Sequence, residues 1–215
     1  MATETEIKLL VPDQAIHKIA QLPFISTGRC EGQKRLINWY FDTSDLRLSA
    51  NKMALRIREQ NGVYIQTLKT KGQSVNGLHQ RGEWEWIIDK PVLDLARLKE
   101  TGLSIVDDFS ALATRLQVIF STHFDRTIWM VELAETATVI EVALDQGEVS
   151  YTSPEGRAWV DKICELELEL KSGSVDALLA VAVQCTNAIP ELTPGNISKA
   201  ERGYSLFEQA KVASA

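Results

Sequence analysis

Cysteine is scarce in this 215-residue chain: Cys30, Cys164 and Cys185 are odd in number and widely spaced, with no CxxC pair. That pattern excludes a disulfide framework and a cysteine zinc site, and it suits buried thiols in a reducing cytosol. Histidine is just as rare, and His17, His79 and His123 are too scattered for a zinc centre. His17 reads as a helix-face residue and His123 as ordinary strand content. His79, beside Arg81, is divided between a view into the interior and a loop role. No apolar run approaches the ~18–20 residues that span a bilayer. Residues 1–6 carry neither the basic nor the apolar region of a secretory signal. There is no GxxxxGK[ST] phosphate loop, no GxSxG elbow and no Cys-His cue. Basic charge is in deficit, with 23 Lys+Arg against 29 Asp+Glu and a net charge of -6. That excludes a general nucleic-acid binder without excluding a local basic pocket. What is present is ordinary: 45% hydrophobic and 24% charged residues, enough chain for one core and far from disorder. The expectation is a soluble, cytoplasmic protein of one domain, without nucleic-acid or membrane partners.

No repeat or low-complexity segment divides the chain. The loosest stretches are 72–77 and 89–108, rich in breakers or charge. Eight segments have strand character, near 3–11, 35–42, 52–59, 63–71, 78–88, 121–133, 138–145 and 158–170. The third and fourth are joined through Asn61-Gly62, a strong hairpin signal. Helical periodicity lies near 13–21, 107–118, 174–188 and 198–210, with Ser198 placed to cap the last helix. Strands follow one another without intervening helices, which excludes a parallel βαβ fold. An antiparallel sheet or barrel with helices packed outside is the expected architecture, α+β but mainly β.

Strand side chains alternate between faces, so residues two apart share one side. The first strand aligns Glu4, Glu6 and Lys8, and the last aligns Glu165, Glu167 and Glu169 against Cys164, Leu166, Leu168 and Leu170. The third aligns Arg56 with Arg58. A two-residue turn at Asn61-Gly62 then sets Arg58 opposite Ile65 and Arg56 opposite Thr67, with Lys69 and Lys71 continuing that face. Arg81, Glu83 and Glu85 share a face of the fifth strand, and Glu141 and Asp145 one of the seventh. Trp84, Trp86, Trp129 and Trp159 read as outer packing beneath helices. Any one such strand fits a half-solvated sheet. Several carry one sign of charge, however, and like charges on one face repel. Closing the sheet with its apolar faces outward under helices leaves a charged interior that needs neutralising. Carboxylates in register call for hard divalent cations, and Arg and Lys in register call for an oxygen-rich anion.

The motifs, in order, are Glu4-x-Glu6-x-Lys8, Leu55-Arg56-Ile57-Arg58, Thr67-Leu68-Lys69, Arg81-x-Glu83-x-Glu85, Arg126, Ala143-Leu144-Asp145, Glu165-x-Glu167-x-Glu169 and the run from Ser198 to Gly203. Together they resemble the CYTH family, the triphosphate tunnel metalloenzymes, over essentially the whole chain. The similarity is strongest to the CYTH domain of bacterial inorganic triphosphatases. The resemblance implies a closed eight-stranded antiparallel barrel over about 3–170 and a helical region over about 174–210, whose last helix lies at one tunnel mouth. It implies metal-dependent hydrolysis of inorganic triphosphate to pyrophosphate and phosphate, with Mg2+ or Mn2+, one ion or two. It also implies roles. Lys8, Arg56, Arg58, Lys69, Arg81, Arg126, Lys199 and Arg202 would grip phosphoryl oxygens. Glu4, Glu6, Asp145, Glu165 and Glu167 would hold metal, and Glu83, Glu85, Glu141 and Glu169 would pair with the basic residues. Lys8 or Lys69 would protonate the leaving group, and a second ion or a tunnel carboxylate, Glu165 or Glu167, would activate water. Other readings on the same fold are a class IV adenylyl cyclase, a thiamine or nucleoside triphosphatase, and a non-catalytic polyphosphate-binding module. Some family members carry a second, helical CHAD domain; this sequence ends at Ala215 without one, as expected of a stand-alone or a truncated form.

Overall fold

A computed structural model describes residues 2–102 and 109–213. Eight long strands form its frame: β1 (Ala2–Leu10), β2 (Arg29–Asp42), β3 (Ala54–Gln60), β4 (Val63–Val75), β5 (Leu78–Ile88), β6 (Gln117–Leu133), β7 (Thr138–Thr152) and β8 (Ala158–Ser172). Their order is β5-β4-β3-β2-β6-β7-β8-β1, and β1 also pairs with β5, so the sheet closes into an antiparallel barrel. Closure removes both sheet edges. A short β9 (Thr193–Pro194) pairs with β1 at Leu9 and Leu10.

Turn chemistry sets the register. Asn61 and Gly62 both have positive φ, 52° and 79°, and the hairpin puts Arg58 opposite Ile65 and Arg56 opposite Thr67 as the sequence predicts. A second Asn-Gly turn, Asn76-Gly77 (φ 50° and 83°), joins β4 to β5. The stretch 72–77 therefore belongs mostly to β4, which runs to Val75 after a register shift between Lys69 and Gly72. Lys71 lies outside the described side chains. β2 begins at Arg29 because a bulge between Cys30 and Gly32 keeps it paired to β6.

The helices are α1 (Ile16–Ile19), α2 (Pro23–Ser26), α3 (Arg47–Ala50), α4 (Leu95–Lys99), α5 (Phe109–Ala113), α6 (Val175–Ala188) and α7 (Lys199–Ala213). Two expectations are corrected here. The helix foreseen over 13–21 is a 3-10 turn at Asp13–Ala15 followed by one turn of α1. The one foreseen over 107–118 ends at Ala113, because Gln117 and Val118 already pair with β2; its first two residues lie outside the described ones. α4 lies within the stretch read as loose, capped by Asp94, whose Oδ1 accepts from the Ala96 and Arg97 amides. No helix among the described residues is long and apolar enough to cross a membrane.

Apolar side chains gather in three clusters. The outward residues of β1, β7 and β8, among them Ile7, Leu9, Ile140, Val142, Leu166 and Leu168, pack under α6 and the N-terminal helices, with Trp129. Leu48, Leu55, Leu68, Leu98 and Leu112 form another, joined by Trp86. The third lies inside one end of the barrel, where Tyr204, Leu206 and Phe207 of α7 meet Tyr40, Phe120, Phe124, Val149 and Ile163. Trp159 joins this inner cluster through Tyr151 and is thus not on the outer face as expected. α7 is seated closely: a Cβ on Gly203 would lie 2.1 Å from Phe120 Cδ2. A capping box fixes its start, since Ser198 Oγ accepts from the Glu201 amide while Glu201 Oε2 accepts from the Ser198 amide.

Candidate functional site

Beyond α7 the barrel interior is a charged chamber of about 190 Å³. Alternation delivers its walls: Glu4, Glu6 and Lys8 from β1, Arg56 and Arg58 from β3, Lys69 from β4, Arg81, Glu83 and Glu85 from β5, Arg126 from β6, Glu141 from β7 and Glu167 and Glu169 from β8. Register places opposite charges across from one another as Glu4–Arg81, Lys8–Glu167, Lys69–Glu83 and Arg126–Asp145. It also places carboxylates against carboxylates, Asp145 opposite Glu165 and Glu141 opposite Glu169. Such like-charge pairs repel. Each is bridged by a lysine. Lys171 lies 2.9 Å from Glu169 and 3.6 Å from Glu141. Lys199, the first residue of α7, puts Nζ 2.7 Å from Asp145 and 2.9 Å from Glu167, in contact also with Glu165.

Asp145, Glu165 and Glu167 form the tightest acidic group, with one ligand oxygen of each within 4.8 Å of the others. All three are buried. Arg126 forks onto both oxygens of Asp145 at 2.7 Å and also reaches Glu167. Lys8 lies 3.6 Å from Glu165 and 3.8 Å from Glu167. Burial alone would push the Glu167 carboxyl up; the Lys199, Arg126 and Lys8 cations outweigh it and hold it well below the usual range. By the same pairing, and against burial, Asp145, Glu165 and Glu167 raise Lys199, and Asp145 and Glu167 raise Arg126. Glu165 Oε2 is buried without a hydrogen-bond partner. An orphaned oxygen in a cluster of hard oxygen donors fits a divalent metal, which takes such ligands.

Glu4 and Glu6 lie outside that trio. Glu4 accepts from Lys69 Nζ (2.7 Å) and Arg81 Nε (2.9 Å), and Glu6 from Arg81 Nη2 (3.1 Å). Burial pushes Glu4 up, but Lys69 and Arg81 hold it far below its ordinary value. Glu83 is 3.2 Å from Lys69, and Glu85 is 3.8 Å from Arg56 while accepting from Thr67 Oγ1. Glu83 and Glu169 are pushed up, chiefly by burial. Arg56 Nε is buried and unpartnered. Arg58 donates to Asn38 Oδ1 at 2.8 Å, and no carboxylate among the described residues lies within ion-pair distance of it. Burial, then Arg56 and Arg126, bring Arg58 down to about 10. Arg58 thus lacks a carboxylate partner, and Arg56 keeps a free Nε although Glu85 and the Tyr40 hydroxyl engage its guanidinium.

Arg202 is not in the chamber with Lys199. It turns to Asp161 (2.7 Å) and the Lys162 carbonyl, and its Nη1 lies 3.8 Å from Glu165 Oε2. His79 shares the Arg81 face, but its Nε2 lies 2.9 Å from the Gly195 carbonyl oxygen. Two polar wall residues, Tyr40 and Lys171, were not among the expected site residues. Lys171 continues the alternation of Glu165, Glu167 and Glu169 by one step.

By comparison, residues 2–204 match a CYTH domain. This chain belongs to the CYTH family. It is 36% identical over 210 residues to the inorganic triphosphatase of Haemophilus influenzae, a match covering 96% of this chain and 55% of that protein. The CYTH chain thus spans about half the length of that curated relative. Among solved structures, a Hippeastrum protein with a dominant triphosphatase activity superposes with a TM-score of 0.62 at 18% identity, covering 96% of each chain. A Pyrococcus horikoshii protein gives 0.54 at 16%, covering 97% of this chain and 99% of that one. At those identities the likeness concerns the CYTH fold alone.

Paired buried charges make the CYTH barrel sensitive to acid. The folded state lowers the Glu4 and Glu167 carboxyls, so between folded and unfolded values the unfolded chain binds more protons and stability rises with pH. Their contribution is complete above the unfolded carboxylate value of ~4.3 and is lost as pH falls below it. The raised Glu83 and Glu169 act with the opposite sign, costing stability as they ionise. The urea midpoint, followed from pH 7 to pH 3 at constant salt, is expected to fall steeply on the acid side. A flat profile would show that the chamber pairs do not hold the fold.

Proposed function

We propose that this chain hydrolyses inorganic triphosphate to pyrophosphate and phosphate inside the barrel, with Mg2+ or Mn2+. The observation that carries the reading is the placing of two guanidiniums on the chamber wall, Arg58 without a carboxylate partner and Arg56 with an unpartnered Nε, beside a buried carboxylate trio that reaches the wall through Glu167. The chamber of about 190 Å³ has room for a compact anion, and it adjoins a cleft of about 430 Å³ that shares Lys69 and Arg81 with it. The triphosphatase named among its relatives points the same way.

In this reading Arg56 and Arg58 seat phosphoryl oxygens, the guanidinium fork matching phosphate bidentately. Lys69 and Arg81, tied to Glu4 and Glu83, extend that positive wall along the anion. Asp145, Glu165 and Glu167 would hold the divalent ion in place of the Lys199 ammonium that now bridges them, with Glu4 and Glu6 as further candidates on the adjoining wall. When bound, such an ion supplies Lewis-acid charge and lowers the pKa of water for in-line attack. Lys8, beside Glu165, or Lys69, beside Glu4, would protonate the leaving group. The protein otherwise contributes position and preorganised charge, as in phosphoryl transfer generally.

Phosphate release from inorganic triphosphate, ATP and thiamine triphosphate, each with Mg2+, Mn2+ or chelator, tests the proposal. Fast metal-dependent release from inorganic triphosphate alone is expected. Cyclic AMP and pyrophosphate from ATP would move the assignment to a cyclase, and tight binding without turnover would leave only a binding module.

A further inference from the structure

Tyr40 has no place in the charge pattern, yet it forms part of the chamber wall while only 4% exposed. Register sets it opposite Arg56, with Asn38, the partner of Arg58, two residues before it on the same face. Its ring stacks on Phe120, with centroids 4.5 Å apart and planes at 16°, and Phe120 is met edge-on by Tyr204 of α7 at 5.1 Å. A ring clamped this way has little freedom left except rotation of its hydroxyl. Burial pushes the phenol up, but Arg56 first, then Arg58 and Lys199, bring it below its ordinary value. The Arg56 guanidinium also lies within hydrogen-bonding reach of the hydroxyl oxygen and can only donate to it, which leaves the O–H proton free to donate beside Arg56 and Arg58.

We propose that Tyr40 is a substrate contact whose hydroxyl donates a hydrogen bond to a phosphoryl oxygen seated on Arg56 and Arg58. The inference rests on the triphosphatase reading. A third guanidinium there would add to the repulsion between Arg56 and Arg58, whereas a neutral donor adds a hydrogen bond without adding charge. Held by the stack before substrate arrives, it costs no reorientation as charge builds on the oxygen it meets.

Tyr40→Phe keeps the ring and its stack and removes only the hydroxyl. Thermal melting is expected to stay near the wild type. kcat/KM for inorganic triphosphate should fall roughly 10- to 100-fold, the worth of a hydrogen bond to a charged oxygen. Calorimetric binding of triphosphate in chelator should weaken as well. Unchanged kcat, KM and affinity would overturn the contact. If the wild type bound triphosphate without hydrolysing it, the activity would fall while the binding comparison still judged Tyr40: weaker binding by the variant would uphold the contact and equal binding would end it. No binding by the wild type would end both.

Discussion

Glu167→Gln is expected to cut metal-dependent hydrolysis of triphosphate by more than ~100-fold, the upper range for losing even an outer-sphere metal partner. It should also weaken the metal-free fold by about 3 kcal/mol, the low end of what breaking a buried ion pair costs. The two effects have separate causes. Activity falls because one of three oxygens in the acidic trio becomes a neutral amide, poor at holding a divalent ion. Stability falls because Lys199, Arg126 and Lys8 all lean on this one carboxylate. The loss stays at the low end because Asp145 and Glu165 remain to share those cations. Phosphate release and urea denaturation in chelator read them independently. Wild-type turnover would remove Glu167 from the metal-holding set, and wild-type stability would mean that the three cations are neutralised elsewhere.

Lys199→Met should produce a protein that needs a divalent ion to keep its stability. Without the ammonium, three buried carboxylates face one another with oxygens inside 4.8 Å, at a cost of roughly 3–5 kcal/mol. The methionine stem still fills the path along the Phe124 ring, over which the ammonium lies at 4.9 Å. A divalent ion can take the vacated position, and at about 100 times its Kd it returns roughly 2.7 kcal/mol. Melting curves with chelator and with Mn2+ should therefore diverge far more for the variant than for the wild type. Equal destabilisation in both buffers would mean that the trio is an ion-pair knot for Lys199 and not a cation site.

These two residues also mark how far the chain could be read beforehand. Strict alternation exposed the Glu165, Glu167 and Glu169 face, and the Asn61-Gly62 turn fixed the β3–β4 register residue for residue, because both depend only on local backbone geometry. Lys171 needed the same alternation carried one step past Leu170. Lys199 and Arg202 were grouped by their i, i+3 spacing, yet three residues fall short of a full helical turn. The seating of α7 on Phe120 spends that angular gap, sending Lys199 into the acidic trio and Arg202 to Asp161. Tyr40 was missed because the pattern was sought in charges, while its role follows from a three-ring stack assembled from β2, β6 and α7.

The chamber has one more effect, on how the molecule is glued together. By filling the middle of the barrel with charge it keeps the apolar clusters under α6, under α4 and around α7 apart. The fold is therefore a rigid hoop with three separate seals, not a body with one centre. Each seal sets its own opening free energy, in the manner of independent cooperative units. Loosening α6 or α4 leaves the ring of interstrand hydrogen bonds closed, so these outer helices can breathe without deforming the charged walls, whereas α7 carries Lys199 of the charge network itself.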